Sequence, residues 1–125
     1  MPDYTLHHLH HEASDVDAAV RFYQDNFHAE LTERTERDGV QWARLKLGNV
    51  SLNVTDRGKL DVALQTYRGL DHFGIHTSDF DATIATLRAN GVNFFLEPTA
   101  PRPGIRVAFV SGPDNVKIEL LQISA

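Results

Sequence analysis

Two stretches of the chain decide its fold when one is written above the other: LHHLHHEASDVDAAV, residues 6–20, and LDHFGIHTSDFDATI, residues 70–84. At an offset of 64, Leu6 meets Leu70, His8 meets His72 and Ser14 meets Ser78. Asp15 then meets Asp79, Asp17 meets Asp81 and Ala18 meets Ala82. Leu9/Phe73, Val16/Phe80 and Val20/Ile84 keep apolar character. Self-similarity at a fixed period marks a repeated structural unit. Each copy reads as a strand running into a helix. Ser14 and Ser78 suit the N-cap, with Asp17 and Asp81 three residues on, as in a shortened capping box. Val16, Ala19, Val20, Tyr23 and Phe27 recur at helical spacing in the first copy, and Phe80, Ile84 and Leu87 in the second. Such aromatics are core packing by default. Asn90-Gly91 stops the second helix.

Three strands follow each helix, near residues 29–35, 40–47 and 50–55, and then near 92–97, 105–111 and 115–123. Gly48-Asn49 and Pro113-Asp114-Asn115 occupy corresponding turns. Beyond them Asn49-Val50 matches Asn115-Val116, Leu52 matches Ile118 and Asn53 matches Glu119, now at an offset of 66. The order is βαβββ, linker, βαβββ. The expected fold class is α+β: two tandem modules, about 4–55 and 68–123, with a linker at 56–67, making a single domain over 1–125. Two half-sheets that each bury one face under a helix combine into a cupped mixed sheet with helices on the outer face. Its concave side suits a ligand.

Four histidines crowd residues 7–11, and the repeat separates them. His8 and His72 hold equivalent places in the first strand of each copy, Asn53 and Glu119 in the last. Glu119 interrupts VKIELLQI, and a buried carboxylate is costly unless paired or metal-bound. Lys117, two residues away on the same face, is the plain alternative partner. Two histidines and one carboxylate at symmetry-related places suit a divalent metal of the first transition row, with Asn53 as a neutral fourth donor or replaced by water. His10 and Glu12 share a face with His8, and His76 shares one with His72. They are second-rank partners or acid–base groups, or else polar wall. His7 and His11 point the other way and read as structural or surface residues. Arg102 and Arg106 bracket Pro103-Gly104 in a loop. They suit an anionic substrate or plain solvation. Trp42 and Phe94-Phe95 line a pocket or pack the core.

Composition excludes other classes. The net charge of −5, with no basic cluster, argues against nucleic acid as a partner. No apolar run approaches a membrane span. Without cysteine there are no disulfides and no thiolate ligands. The N-terminus lacks a basic-then-apolar leader, and the expected location is cytoplasmic.

From Leu6 to Gln122 the chain resembles the vicinal oxygen chelate superfamily, which includes glyoxalase I, methylmalonyl-CoA epimerase, extradiol dioxygenases, and the fosfomycin and bleomycin resistance proteins. The resemblance rests on LHHLHHEASDVDAAVRFY, LDHFGIHTSDFDA and FVSGPDNVKIELLQ. It implies one divalent ion (Fe, Mn, Co, Ni or Zn) held by His8, Asn53, His72 and Glu119, with substrate oxygens completing the shell and an enolate-like or oxyanionic intermediate. It also implies a small-molecule substrate, a homodimer, and isomerase, epimerase or lyase chemistry. In that reading Glu119, His10 and His76 are catalytic, and Arg102, Arg106 and Trp42 bind substrate. The departures matter. Glyoxalase I usually has Glu where this chain has Asn53, and methylmalonyl-CoA epimerase has Gln there. The position of the dioxygenase tyrosine is Phe109, and its second histidine is missing near Ala100 to Arg102. Ring-cleaving dioxygenation and metal-free small-molecule binding remain the alternatives.

Overall fold

A computed structural model of the chain describes residues 3, 5–57 and 72–124. The expected linker from residue 58 onward, and the start of the second module through residue 71, lie outside the described residues. The chain divides into two compact units, Met1–Asp61 and Val62–Ala125.

The first unit is β1 (His8–Glu12), α1 (Val16–Phe27), β2 (Glu30–Arg37), β3 (Val40–Leu47) and β4 (Val50–Thr55). The second is β5 (Phe73–His76), α2 (Phe80–Ala89), β6 (Phe94–Arg102), β7 (Ile105–Ser111) and β8 (Lys117–Ile123), with a short 3-10 turn, Pro113–Asn115, before the last strand. Each is a βαβββ module of α+β class. The sheets have orders β1-β4-β3-β2 and β5-β8-β7-β6. The first and last strands of each module are parallel neighbours and the other pairs are antiparallel.

Register reproduces the repeat independently of residue identity. His10 lies opposite Asn53 in the first sheet and Gly74 opposite Glu119 in the second. These are the pairs that the offsets of 64 and 66 demand. The offset grows from 64 to 65 within β6, which is one residue longer than β2, and to 66 across the longer turn before β8. Asp38-Gly39 closes β2 onto β3 with both residues at positive φ, the mirror-type turn that matches strand twist. Pro103-Gly104, with Gly104 at φ 82°, closes β6 onto β7.

Each helix buries its apolar stripe on one face of its own sheet. Val16, Ala19, Val20 and Tyr23 of α1 are buried with Ala43, Leu45, Leu52 and Val54, and Phe80, Ile84 and Leu87 of α2 with Ala108, Val110, Ile118 and Leu120. His11 points into the first of these cores, its Nδ1 3.1 Å from the Tyr23 hydroxyl, which makes it structural. His7 stays exposed.

Local details differ from expectation. The N-caps are Asp15 and Asp79, whose carboxylates accept from the Ala18 and Ala82 amides at 3.0 and 3.1 Å; they are not Ser14 and Ser78. The shift brings Val16 and Phe80 into the first turn, where both are buried. Asp17 and Asp81 are thereby released to bind Arg34 and Arg106. Replacing Asp79 with Ala is expected to cost about 1 kcal/mol of stability in urea denaturation. β6 runs past its expected end at 97 to Arg102, through Pro98 and Pro101. As an outermost strand of its sheet it tolerates prolines, and its pairing slips at three places. β2, outermost in the first sheet, carries a bulge between Leu31 and Glu33.

Candidate functional site

Strand alternation leaves each sheet a second face, the one without the helix. On module two this open face carries His72, Gly74, Phe109 and Glu119. Glu119 sits opposite Gly74, and a Cβ on Gly74 would stand 3.3 Å from Leu121 Cδ2 and 3.6 Å from Glu119 Oε1. A Cβ there would crowd Leu121 and come into ordinary contact with the carboxylate. His72, which directly precedes β5, brings Nε2 to 3.4 Å from Glu119 Oε1. Phe109, opposite Glu119 on β7, meets the His72 ring edge-on at 5.1 Å. The histidine and carboxylate are 33% and 24% exposed, so both remain reachable.

The donor chemistry of this pair fits a divalent ion. Two ligands bonded at about 2.1 Å in tetrahedral geometry stand roughly 3.4 Å apart, which is the observed Nε2–Oε1 separation. That spacing is long for a good hydrogen bond. Within either module the described residues gather no set of three His, Asp or Glu side chains at metal-binding separation.

On module one, His8 opens β1 opposite Ser51. Its Nδ1 lies 2.9 Å from His7 Nδ1. In the tautomer where His8 Nδ1 donates, Nε2 keeps a lone pair for a cation. Asn53 fits a metal less well. Its Oδ1 accepts from Arg44 Nε at 3.2 Å, so a cationic group already faces that oxygen. Arg44 is a residue that the sequence reading passed over. The signal was available: a two-residue turn at Gly48-Asn49 sets Leu47 opposite Val50, and counting back puts Arg44 opposite Asn53.

The other candidates are placed as follows. His10 makes its hydrogen bonds through Nε2, at 2.8 Å to both Glu12 Oε1 and Thr55 Oγ1 and 3.3 Å to Arg57 Nη2, while Thr55 donates to Glu12. Trp42 stands edge-on to His10, with the Arg37 and Arg57 guanidiniums 5.5 and 5.6 Å from its ring centre. His76 ends β5, its Nε2 3.4 Å from the Ile123 amide. It is four residues from His72, roughly 13 Å of extended chain.

Arg102 and Arg106 flank a tight hairpin where a loop was expected. The hairpin borders a hollow of about 490 Å³ together with Ser124. Arg106 stands on the helix-bearing face, in the alternation of buried Ala108 and Val110. It pairs with Asp81 at 2.7 Å and lies over the Phe80 ring at 4.5 Å. That partner occupies the guanidinium expected to take substrate.

The hydrogen bond and charge of Arg106 hold the Asp81 carboxyl below the ordinary carboxylate range. A depressed folded-state value stabilises the fold above the unfolded value and loses that contribution as pH falls through the folded one. Arg106→Gln is expected to move the Asp81 midpoint back up toward 3.8, read by carboxyl NMR titration.

The sequence profile of the glyoxalase/bleomycin resistance protein/dioxygenase superfamily matches residues 5–120. A lactoylglutathione lyase of Arabidopsis thaliana is 27% identical over 92% of this chain and 43% of its own length. This chain thus spans less than half of that relative. A 2-epi-5-epi-valiolone epimerase of Actinomyces sp. is 29% identical over 96% of this chain and 80% of its own. The crystal structure of a glyoxylase/bleomycin resistance protein/dioxygenase domain from Frankia sp. EAN1pec superposes with a TM-score of 0.82 at 23% identity, covering 98% of this chain and 93% of that one. No helix among the described residues is long and apolar enough to cross a membrane. Repeat, strand register and profile agree, and the chain belongs to the glyoxalase/bleomycin resistance protein/dioxygenase superfamily.

Proposed function

We propose that the chain is a divalent-metal-dependent enzyme of the glyoxalase and epimerase type, shifting a proton next to the carbonyl of a small substrate. The observation that carries this reading is the His72–Glu119 pair, with its two donor atoms at the spacing of neighbouring ligands. His72 and Glu119 would hold the ion. When bound, such an ion supplies positive charge that lowers the cost of negative charge on the carbonyl oxygen. The Glu119 carboxylate takes the proton from the adjacent carbon and returns it. Phe109 walls the His72 ring and offers no acidic hydrogen, which favours a proton shift over ring cleavage. The names of two relatives, a lyase and an epimerase, support the same class.

One observation favours a second reading, a metal-free binding protein: Asn53 is already engaged by Arg44. Elemental analysis of protein purified without added metal, alongside His72→Ala, separates the two. About one ion per chain in the wild type and its loss in the variant is the expected result. Equal metal in both proteins, or none in either, removes the enzyme reading. Homodimer assembly in the cytoplasm is the accompanying expectation. Light scattering tests the first part against the 14.0 kDa chain mass.

A further inference from the structure

We infer that Arg44 is an anion-binding residue on the open face of the first module, taking a carboxylate or phosphate, and that Asn53 serves to orient it rather than to ligate metal. For the metal it sets aside, the inference rests on the enzyme reading above.

Arg44 faces Asn53 across β3 and β4, as Phe109 faces Glu119 across β7 and β8. The two modules thus place Arg44 and Phe109 at the same backbone address on their open faces. In module two that address touches the proposed metal-holding histidine. In module one it carries a guanidinium.

The guanidinium is held in place. Nε donates to Asn53 Oδ1 at 3.2 Å, and Nη1 lies 3.3 Å from Glu33 Oε2. Nη2 has no partner among the described residues, and the side chain is 51% exposed. Two of the three nitrogens are anchored, and the side chain stays half exposed. A fork fixed at one side loses little further freedom when an oxyanion docks at the other. Charge points the same way. Glu33 is shared with Arg37, at 3.4 Å from its Nη2, so one carboxylate serves two guanidiniums.

The identity of residue 53 follows. An asparagine oxygen that accepts from a guanidinium faces a cation without needing a second one. An acidic residue there would neutralise Arg44 and cancel its pull on an anion. Asn53 orients the fork and leaves its charge intact.

The test uses the full chain and two titrations. Malonate and, separately, inorganic phosphate are titrated into protein stripped with EDTA, so that no metal can hold the anion. Mn²⁺ is then titrated in the absence of either. Arg44→Met is expected to weaken anion binding about tenfold or more while Mn²⁺ affinity stays within threefold. Asn53→Ala is expected to weaken the anion severalfold and likewise leave Mn²⁺ unchanged. Arg44→Lys, which keeps the charge without the fork, should fall between wild type and Arg44→Met, and it serves if the Met variant does not fold. A tenfold loss of Mn²⁺ in Asn53→Ala would make Asn53 a ligand and overturn the inference. So would wild-type anion affinity in Arg44→Met, or no binding of either anion by the wild type. Stronger binding of malonate than of phosphate assigns the carboxylate class, and the reverse assigns the phosphate class. Absence of Mn²⁺ binding in the wild type rejects the metal reading instead, and leaves the anion result standing by itself.

Discussion

Glu119→Ala is expected to bind Mn²⁺ at least about a hundredfold more weakly than the wild type by calorimetric titration, since loss of a supporting residue alone costs ten- to a hundredfold. The same variant should melt no lower than the wild type. Glu119 is the charged residue within the Ile118–Leu121 stretch of β8, flanked by fully buried Ile118 and Leu120. A half-buried carboxylate beside that run carries a desolvation cost that alanine does not. Loss of metal without loss of stability is the pattern of a residue kept for chemistry. Loss of both would make Glu119 structural. Gly74 supplies a second arm. A valine there would bring its branches onto Glu119 Oε1 and Leu121, already 3.6 and 3.3 Å from a modest Cβ. Gly74→Val should therefore lower Mn²⁺ affinity with Glu119 still present.

The second large effect concerns the cores. Leu52→Ala and Ile118→Ala remove equivalent side chains, 2% and 0% exposed, from under α1 and α2. Each should cost about 2–5 kcal/mol in urea denaturation, the transfer of the lost methylenes plus the cavity left behind. Hydrogen exchange tells the modules apart. Leu52→Ala should raise exchange first in β3 and β4, and Ile118→Ala first in β7 and β8, because each core lies within one module. A loss below about 1 kcal/mol in either would mean that the site collapses around the smaller residue.

The repeat made most of the architecture legible. Strand alternation and helical spacing are each readable within one element: β7 shows the first, and α1 and α2 show the second. Asp15 and Asp79 were passed over as caps because Ser and Asp stand side by side in both copies. Only the burial of Val16 and Phe80 shows which residue ends the extended stretch. The expected strand end at residue 97 falls just before Pro98, and β6 nonetheless continues through Pro98 and Pro101, which cannot donate to a ladder. An outermost strand does not need every donor.

The site was legible by position and less so by partner. The equivalence of His8 with His72 followed from the repeat, whereas the closeness of His72 to Glu119 comes from the parallel pairing of β5 with β8, which the repeat alone did not give. That Arg44 reaches Asn53, or that Arg106 turns to Asp81, depends on which rotamer a long side chain adopts. Spacing along the chain does not encode that choice.

The bulged and proline-broken β6 has a consequence for how this protein behaves when crowded. A sheet's outermost strand is a template on which a stray extended segment can add itself, and repeated addition builds fibres. Pro98 and Pro101 remove two donors from that template, and three slips in register keep the rest from presenting an even row. β2 reaches the same end differently, with Glu30, Glu33, Arg34, Glu36 and Arg37 along a bulged strand. A newcomer docking there would have to match an alternating string of charges. A tandem β-rich chain risks mispairing one copy's strands with the other's during folding, and these two borders make such errors harder to propagate from one molecule to the next.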